Sequence, residues 1–316
     1  MIVKRAEVLG YCMGVQRAVN AVLKAAGIES SELQTNLLHS VQFAKTETAK
    51  KRKIKVFTFG PLIHNPDTLS YLAKNGIDFI EPGTFSGTED YSGAKIVIRA
   101  HGISPEQLRK IKKTGAEIID ATCPRVVSSQ MRAKKYAKDS LIILAGDKNH
   151  GELISIAGYV LSEKNSVCLI VQNAEEAAAV QLPARNNGLK KAVLIAQTTI
   201  KQSEYEAIAK ILKTRLPDLI VFNTICPATT ERQDALKVLA NETDAILVIG
   251  GKNSANTKRL LQTAVGLKKP AWLIENVSEI PKEIFNYQSV GITAGASTPD
   301  FVIEETERFL TGVNGR

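Results

Sequence analysis

The sequence predicts an α/β protein of three similar α/β units with parallel sheets, which packing as a pseudo-threefold trefoil would bring around a central site. Three observations lead there. Short β-branched runs alternate with helix-length segments along all 316 residues, the pattern of parallel strands covered by helices on both faces. Three of the four cysteines, Cys12, Cys123 and Cys226, are almost equally spaced, and each follows an apolar stretch and opens a helical one. Each third of the chain also holds a strand ending in glycine with a polar residue four positions on: Gly60 leads to His64, Gly146 to His150 and Gly250 to Ser254. A second strand in each third ends in Ala100-His101-Gly102, Gln197-Thr198-Thr199 or Gly295-Ala296-Ser297.

The first unit, 1–123, starts with a strand-like segment at Met1–Arg5. After Cys12, Val15, Ala18, Val19, Val22 and Leu23 form an apolar stripe at helical spacing. A basic insertion near 29–53, with Lys45, Lys50, Lys51, Arg52 and Lys53, reads as a solvated helix face or loop that also holds His39. Strands are expected at Val56–Phe59 and Lys95–Arg99. The second unit, 124–222, opens with Pro124, which suits a first helical position, although the stripe that follows is too irregular to define a helix by periodicity. Its strands are Leu141–Ala145 and Ala192–Ala196, and Cys168 lies in an apolar strand interior as a buried thiol. The third unit and C-terminal tail, 223–316, open with Pro227 and a narrower stripe of Ala228, Arg232, Ala235 and Leu239, ahead of strands Ala245–Ile249 and Val290–Thr293. In each unit the polar clusters fall at the carboxyl ends of strands, where open α/β sheets bind ligands. Packing about a threefold axis brings the three cysteines to the centre.

Composition excludes several classes. A hydrophobic fraction of 44% is too high for a disordered chain. The longest apolar runs, Leu141–Gly146 and Ala245–Gly250, fall far short of the ~20 residues a bilayer requires. No signal peptide is visible at the start, so a cytoplasmic protein with reduced thiols is expected. The net charge of +9 favours anionic substrates and acidic partners. With 5% aromatic residues there is little to stack on bases, so nucleic acid is not an expected partner.

A cysteine opening a helix sits where the macrodipole and free N–H groups favour the thiolate. Three such cysteines without a C-x-x-C fit a metal centre with an open position, either zinc or an iron–sulfur cluster; spacing does not separate them. Of four histidines, His64, His101 and His150 fall in the post-strand loops, and His150-Gly151-Glu152 places a carboxylate beside an imidazole as a proton donor. Thr198, Thr199, Asn253, Ser254, Asn256 and Ser297 are types that serve both helix N-caps and phosphate sites. A metal hydrolase using His150 and Glu152 leaves the cysteines without a purpose. The alternative of another class is a zinc- or cluster-binding regulatory module contacting RNA; it calls for a basic stripe interleaved with aromatics, which the chain lacks.

Nine runs come in an order that carries a resemblance. They are Cys12-Met13-Gly14-Val15-Gln16-Arg17-Ala18, Ile63-His64-Asn65, Ala100-His101-Gly102, Asp120-Ala121-Thr122-Cys123-Pro124, His150-Gly151-Glu152, Gln197-Thr198-Thr199, Cys226, Lys252-Asn253-Ser254-Ala255-Asn256 and Thr293-Ala294-Gly295-Ala296-Ser297. Together, over roughly Val8 to Thr311, the chain resembles the 4-hydroxy-3-methylbut-2-enyl diphosphate reductase family, which closes the methylerythritol phosphate route to isoprenoids. The resemblance implies one [4Fe–4S] cluster held by Cys12, Cys123 and Cys226, with an open fourth iron for the substrate's allylic hydroxyl. It implies that His64, His101, Ser254, Asn256 and Ser297 hold the diphosphate, that Glu152 delivers protons, and that His150 and Thr198 position the substrate and relay protons. Ferredoxin or flavodoxin, acidic carriers, would supply two electrons to a monomeric enzyme, giving isopentenyl and dimethylallyl diphosphate. Two departures stand out. Gly151 replaces a proline common in the family, which is expected to loosen Glu152, and Ala255 replaces a serine, removing one hydroxyl.

Overall fold

The computed structural model describes residues 1–29, 54–63, 65–183 and 191–312. Most of the basic insertion, with His39, lies outside the described residues, as does His64. The chain opens with β1 (Ile2–Arg5) and α1 (Met13–Ala26). A first sheet follows from β2 (Val56–Phe59), β3 (Ile77–Ile80), β4 (Lys95–Ile98) and β5 (Glu117–Asp120), with crossovers α2 (Pro66–Lys74) and α3 (Pro105–Lys113). Helix α4 (Pro124–Tyr136) leads to β6 (Ser140–Ala145), α5 (Gly151–Leu161), β7 (Cys168–Val171), α6 (Ala174–Ala179), β8 (Lys191–Ala196), α7 (Gln202–Arg215) and β9 (Leu219–Phe222). Helix α8 (Pro227–Glu242) leads to β10 (Ala245–Ile249), α9 (Ala255–Gly266), β11 (Ala271–Ile274), β12 (Ser289–Ala294) and α10 (Asp300–Thr311).

The strands form three four-stranded parallel sheets in the orders β3-β2-β4-β5, β7-β6-β8-β9 and β1-β12-β10-β11. The three orders are one topology. In each, the first strand of the unit pairs with its second and third, and the third pairs with the strand that precedes a cysteine. β5 precedes Cys123, β9 precedes Cys226, and β1 precedes Cys12. The N-terminal strand, grouped by sequence within 1–123, thus lies in the third sheet, in register from Ile2 beside Ser289 to Arg5 beside Ile292. Its pairing covers the edge of β12 that would otherwise be left with unpaired N–H and C=O groups.

The central strands are wholly buried along β6 and β10, so their sequences are continuously apolar and each of the six expected strands is found within one residue at either end. The outer strands β3, β5, β9 and β11 are partly exposed, which dilutes their apolar signal. Helix α4 buries Val126, Ser129, Gln130 and Ala133; the helical period is present but half polar, because Gln130 Nε2 donates to Ser155 Oγ at 2.9 Å. Helix α8 buries Thr229, Arg232, Leu236, Leu239 and Ala240, a face rotated slightly from the expected stripe, of which Arg232 and Leu239 are buried and Ala235 is half-buried against the same core. Polar anchors set that rotation: Thr229 Oγ1 donates to the Thr198 carbonyl and Arg232 Nη2 to the Gly10 carbonyl. The largest core joins α1 and α10 to the first and third sheets, through residues such as Val19, Val22, Val97, Leu247 and Ile292. Among the described residues, no helix is long and apolar enough to cross a membrane.

Candidate active site

Cys12, Cys123 and Cys226 are the N-cap residues of α1, α4 and α8, and none uses its side chain in the cap. Three equivalent backbone hydrogen bonds seat them. The Cys12 N–H donates to the Ala296 carbonyl at 3.0 Å, Cys123 to Ala100 at 3.0 Å and Cys226 to Thr198 at 2.8 Å. Each acceptor is the second residue beyond the third strand of its sheet, so the pseudo-threefold relation holds to the individual residue. A Cβ on Gly14 would fall 2.9 Å from Cys123 Sγ and 3.9 Å from Cys12 Sγ; only glycine lets the start of α1 come this close to both thiols.

The thiols are partly exposed at the cavity wall. Burial pushes the Cys226 thiol up, opposed by the Ala228 N–H and by Arg125. The expected thiolate preference of a helix start is thus outweighed here by desolvation, and a bound cation is what would reverse the balance. Buried Arg232 feels the charges of Cys12 and Cys226. Cys168 lies apart in β7, packed among apolar neighbours, with its thiol pushed up to about 12 by burial. Among the described residues, no three His, Cys, Asp or Glu side chains are grouped to hold a single metal ion.

Polar loops complete the wall. His150 is the N-cap of α5, and its Nδ1 accepts the Glu152 N–H at 3.3 Å, so the neutral ring carries its proton on Nε2. The His101 and His150 rings meet edge to face with centroids 4.9 Å apart. Glu152 is buried, and both carboxylate oxygens are held by one residue: Oε1 accepts the Thr198 N–H at 2.7 Å and Oε2 the Thr198 hydroxyl at 2.6 Å. Burial raises its pKa from 4.5 to about 7, against the lowering effect of those hydrogen bonds and of Arg259. A carboxyl so tuned can hold and give a proton near neutrality. Thr198, rather than the preceding Gly151, fixes the carboxylate. A Cβ at Gly151 would meet Arg99 Nη2 at 2.7 Å, so the guanidinium takes the room a proline ring would need. In the third unit, Ser254 caps α9 by accepting the Thr257 N–H, while Asn256 Nδ2 and Ser297 Oγ are buried without a hydrogen-bond partner among the described residues.

Of the residues singled out from sequence, Cys12, Cys123, Cys226, His101, His150, Glu152, Thr198, Ser254, Asn256 and Ser297 all line one cavity. Sequence reasoning missed Arg125 and Arg232 on the same wall. The signal for Arg232 was its place inside an otherwise apolar stripe; Arg125 had none beyond its position two residues after a cysteine.

A family model described as LytB protein matches residues 3–311. A 4-hydroxy-3-methylbut-2-enyl diphosphate reductase of Treponema denticola is 59% identical over 310 residues, covering 98% of this chain and 99% of that protein. One from Thermoanaerobacter pseudethanolicus is 36% identical over 315 residues, covering 98% of each. Among solved structures, the E-1-hydroxy-2-methyl-but-2-enyl-4-diphosphate reductase of Plasmodium falciparum matches with a TM-score of 0.79 at 28% identity, covering 99% of this chain and 88% of that one. A second, described as (E)-4-hydroxy-3-methyl-but-2-enyl diphosphate reductase, the terminal enzyme of the non-mevalonate pathway, matches with a TM-score of 0.64 at 32% identity over 99% and 100% of the two chains. With its fold and its match over nearly the whole chain, the protein belongs to the LytB family, the iron–sulfur oxidoreductases known as 4-hydroxy-3-methylbut-2-enyl diphosphate reductases.

Proposed function

We propose that this chain reduces 4-hydroxy-3-methylbut-2-enyl diphosphate to isopentenyl and dimethylallyl diphosphate at a [4Fe–4S] cluster held by Cys12, Cys123 and Cys226. The observation that carries this reading is the set of three N-cap thiols, tied by equivalent hydrogen bonds into one cavity with a carboxyl tuned to about 7. The donor set fits the group: soft thiols with no capping partner of their own, approached closely by Gly14 and backed by the Arg232 guanidinium, suit an anionic iron–sulfur centre. When bound, the cluster supplies electrons and a Lewis-acidic iron for the departing hydroxyl.

The remaining work belongs to side chains. The allylic C–O bond breaks, two electrons enter, one proton leaves with the hydroxyl as water and a second joins the allyl carbon at either end. Glu152, protonated below about pH 7, is the proton source. Thr198 fixes the carboxyl through its N–H and hydroxyl, and His150, beside His101, positions substrate and relays the proton. His64, His101, Ser254, Asn256 and Ser297 hold the diphosphate; Asn256 Nδ2 and Ser297 Oγ offer it donors that no described residue satisfies. Ala255 contributes only backbone at the start of α9. The +9 charge draws an acidic one-electron carrier, ferredoxin or flavodoxin, to a monomeric cytoplasmic enzyme of three units. The reading is tested by assaying anaerobically purified protein with the diphosphate and a chemically reduced viologen. Formation of both isomers is expected; brown, iron-loaded protein that forms neither overturns it.

A further inference from the structure

Behind the wall that holds Glu152 lies a closed polar ring of four residues. The Asp147 N–H donates to Gln197 Oε1 at 2.8 Å, and Gln197 Nε2 donates to Thr199 Oγ1 at 2.9 Å. Arg259 Nη1 donates to the same hydroxyl oxygen at 3.1 Å, and Arg259 Nη2 donates to Asp147 Oδ2 at 3.3 Å. Gln197 is fully buried, in space that exists because residue 146 is glycine: Gly146 has φ +146°, and a Cβ there would lie 2.3 Å from Gln197 Oε1. The guanidinium is itself largely enclosed, with 12% of its side chain exposed.

The ring brackets one residue. Thr198 sits between Gln197 and Thr199, and it alone supplies the two hydrogen bonds that fix the Glu152 carboxylate. Three ring members belong to the second unit, whereas Arg259 reaches in from α9, one turn beyond Asn256. The planar fork serves the two oxygens through two nitrogens at fixed spacing, a geometry that lysine's single ammonium does not reproduce.

We propose that Arg259 is a positioning residue for proton delivery: it closes the ring from the third unit, fixes the loop 197–199, and through Thr198 sets where Glu152 points. The same helix begins with the residues assigned to the diphosphate, so seating the substrate and aiming the proton donor are mechanically joined. This rests on the function proposed above, in which the allyl carbon accepts its proton at either end. Partition between the two products is therefore sensitive to the direction of proton delivery, whereas a loss of folded enzyme scales both products together.

The test uses cluster-loaded Arg259→Met, Arg259→Lys and Thr199→Val, with initial rates and the ratio of the two isomers as readouts. We expect kcat to fall on the order of ten-fold in Arg259→Met and the product ratio to move by about two-fold or more. Thr199→Val moves the ratio in the same direction, Arg259→Lys rescues only part, and the Arg259→Met/Thr199→Val pair is no worse than the worse single variant. A wild-type ratio in both Arg259→Met and Thr199→Val overturns the proposal, whatever the loss of rate. Should Arg259→Met not fold, Thr199→Val decides alone by the same criterion. Wild-type protein that makes neither isomer overturns the functional reading instead.

Discussion

The second and third units present equivalent loops to the cavity in opposite states of hydrogen bonding. In the second, both Glu152 oxygens are engaged by Thr198, and the flanking Gln197 and Thr199 are locked by Asp147 and Arg259. In the third, Asn256 Nδ2 and Ser297 Oγ are buried with nothing to bond. A buried donor left unpaired costs about 1–3 kcal/mol, a burden offset when a ligand supplies the acceptor. Under the proposed function, one position of a repeated fold serves two purposes: a preorganised proton source where the loop brings its own partners, and an anion receiver where it does not. The difference resides in a few side chains, Gln197-Thr198-Thr199 against Gly295-Ala296-Ser297.

Substitutions on the two sides should separate sharply. Glu152→Gln is expected to retain iron and substrate binding while turnover drops by roughly 10²–10⁴-fold, checked by steady-state rates against iron content; near-normal turnover would remove Glu152 from the proton path. Asn256→Ala should act on the other side, raising KM by about ten-fold with a much smaller change in kcat. Ser297→Ala should weaken substrate binding similarly yet leave the melting temperature of the substrate-free protein unchanged or higher, since it deletes a buried hydroxyl that has no partner. A lowered melting temperature would mean that the hydroxyl is satisfied internally, and the contrast between the loops would be lost.

pH sharpens the same comparison. Because Glu152 must be protonated to donate, kcat should decline as pH rises above about 7. Stability follows the same proton. The folded pKa lies above the ordinary 4.5, so the native state binds the proton more tightly, and its stabilising effect is full below 4.5 and lost as pH rises towards about 7. Glu152→Gln has no such proton to lose, so its melting temperature relative to wild type should climb across that interval; a constant difference would contradict a raised pKa. The smallest effect is expected at Cys168→Ala, which should cost about 1 kcal/mol in a denaturant melt and no iron, since that thiol packs among apolar side chains.

Much of this architecture was legible in the sequence because burial writes itself into composition. β6 and β10 are buried at every residue and read as unbroken apolar runs. β3 exposes its two central positions and β5 its two ends, and neither left a comparable trace. That β1 pairs with β12 is a contact between the two ends of the chain, which no local pattern encodes. The residues proposed as ligands and proton donor were legible as types at repeating positions, Cys12 and Glu152 among them. Their supports were not: Arg232 and Arg259 act across unit boundaries, on Gly10 and on Thr199, and in sequence they are ordinary helix arginines. The restraint on Glu152 was hidden for the same reason, since it comes from Thr198, far along the chain.

The proposed convergence of three distant thiols on one inorganic centre underlies every step. Its most direct measurement is iron and acid-labile sulfide in protein purified without oxygen, wild type beside Cys12→Ser, Cys123→Ser and Cys226→Ser. Wild type should hold about four of each per chain, and each variant should lose most of both. Sulfide-free wild type, or three variants that all keep the wild-type content, would contradict the account.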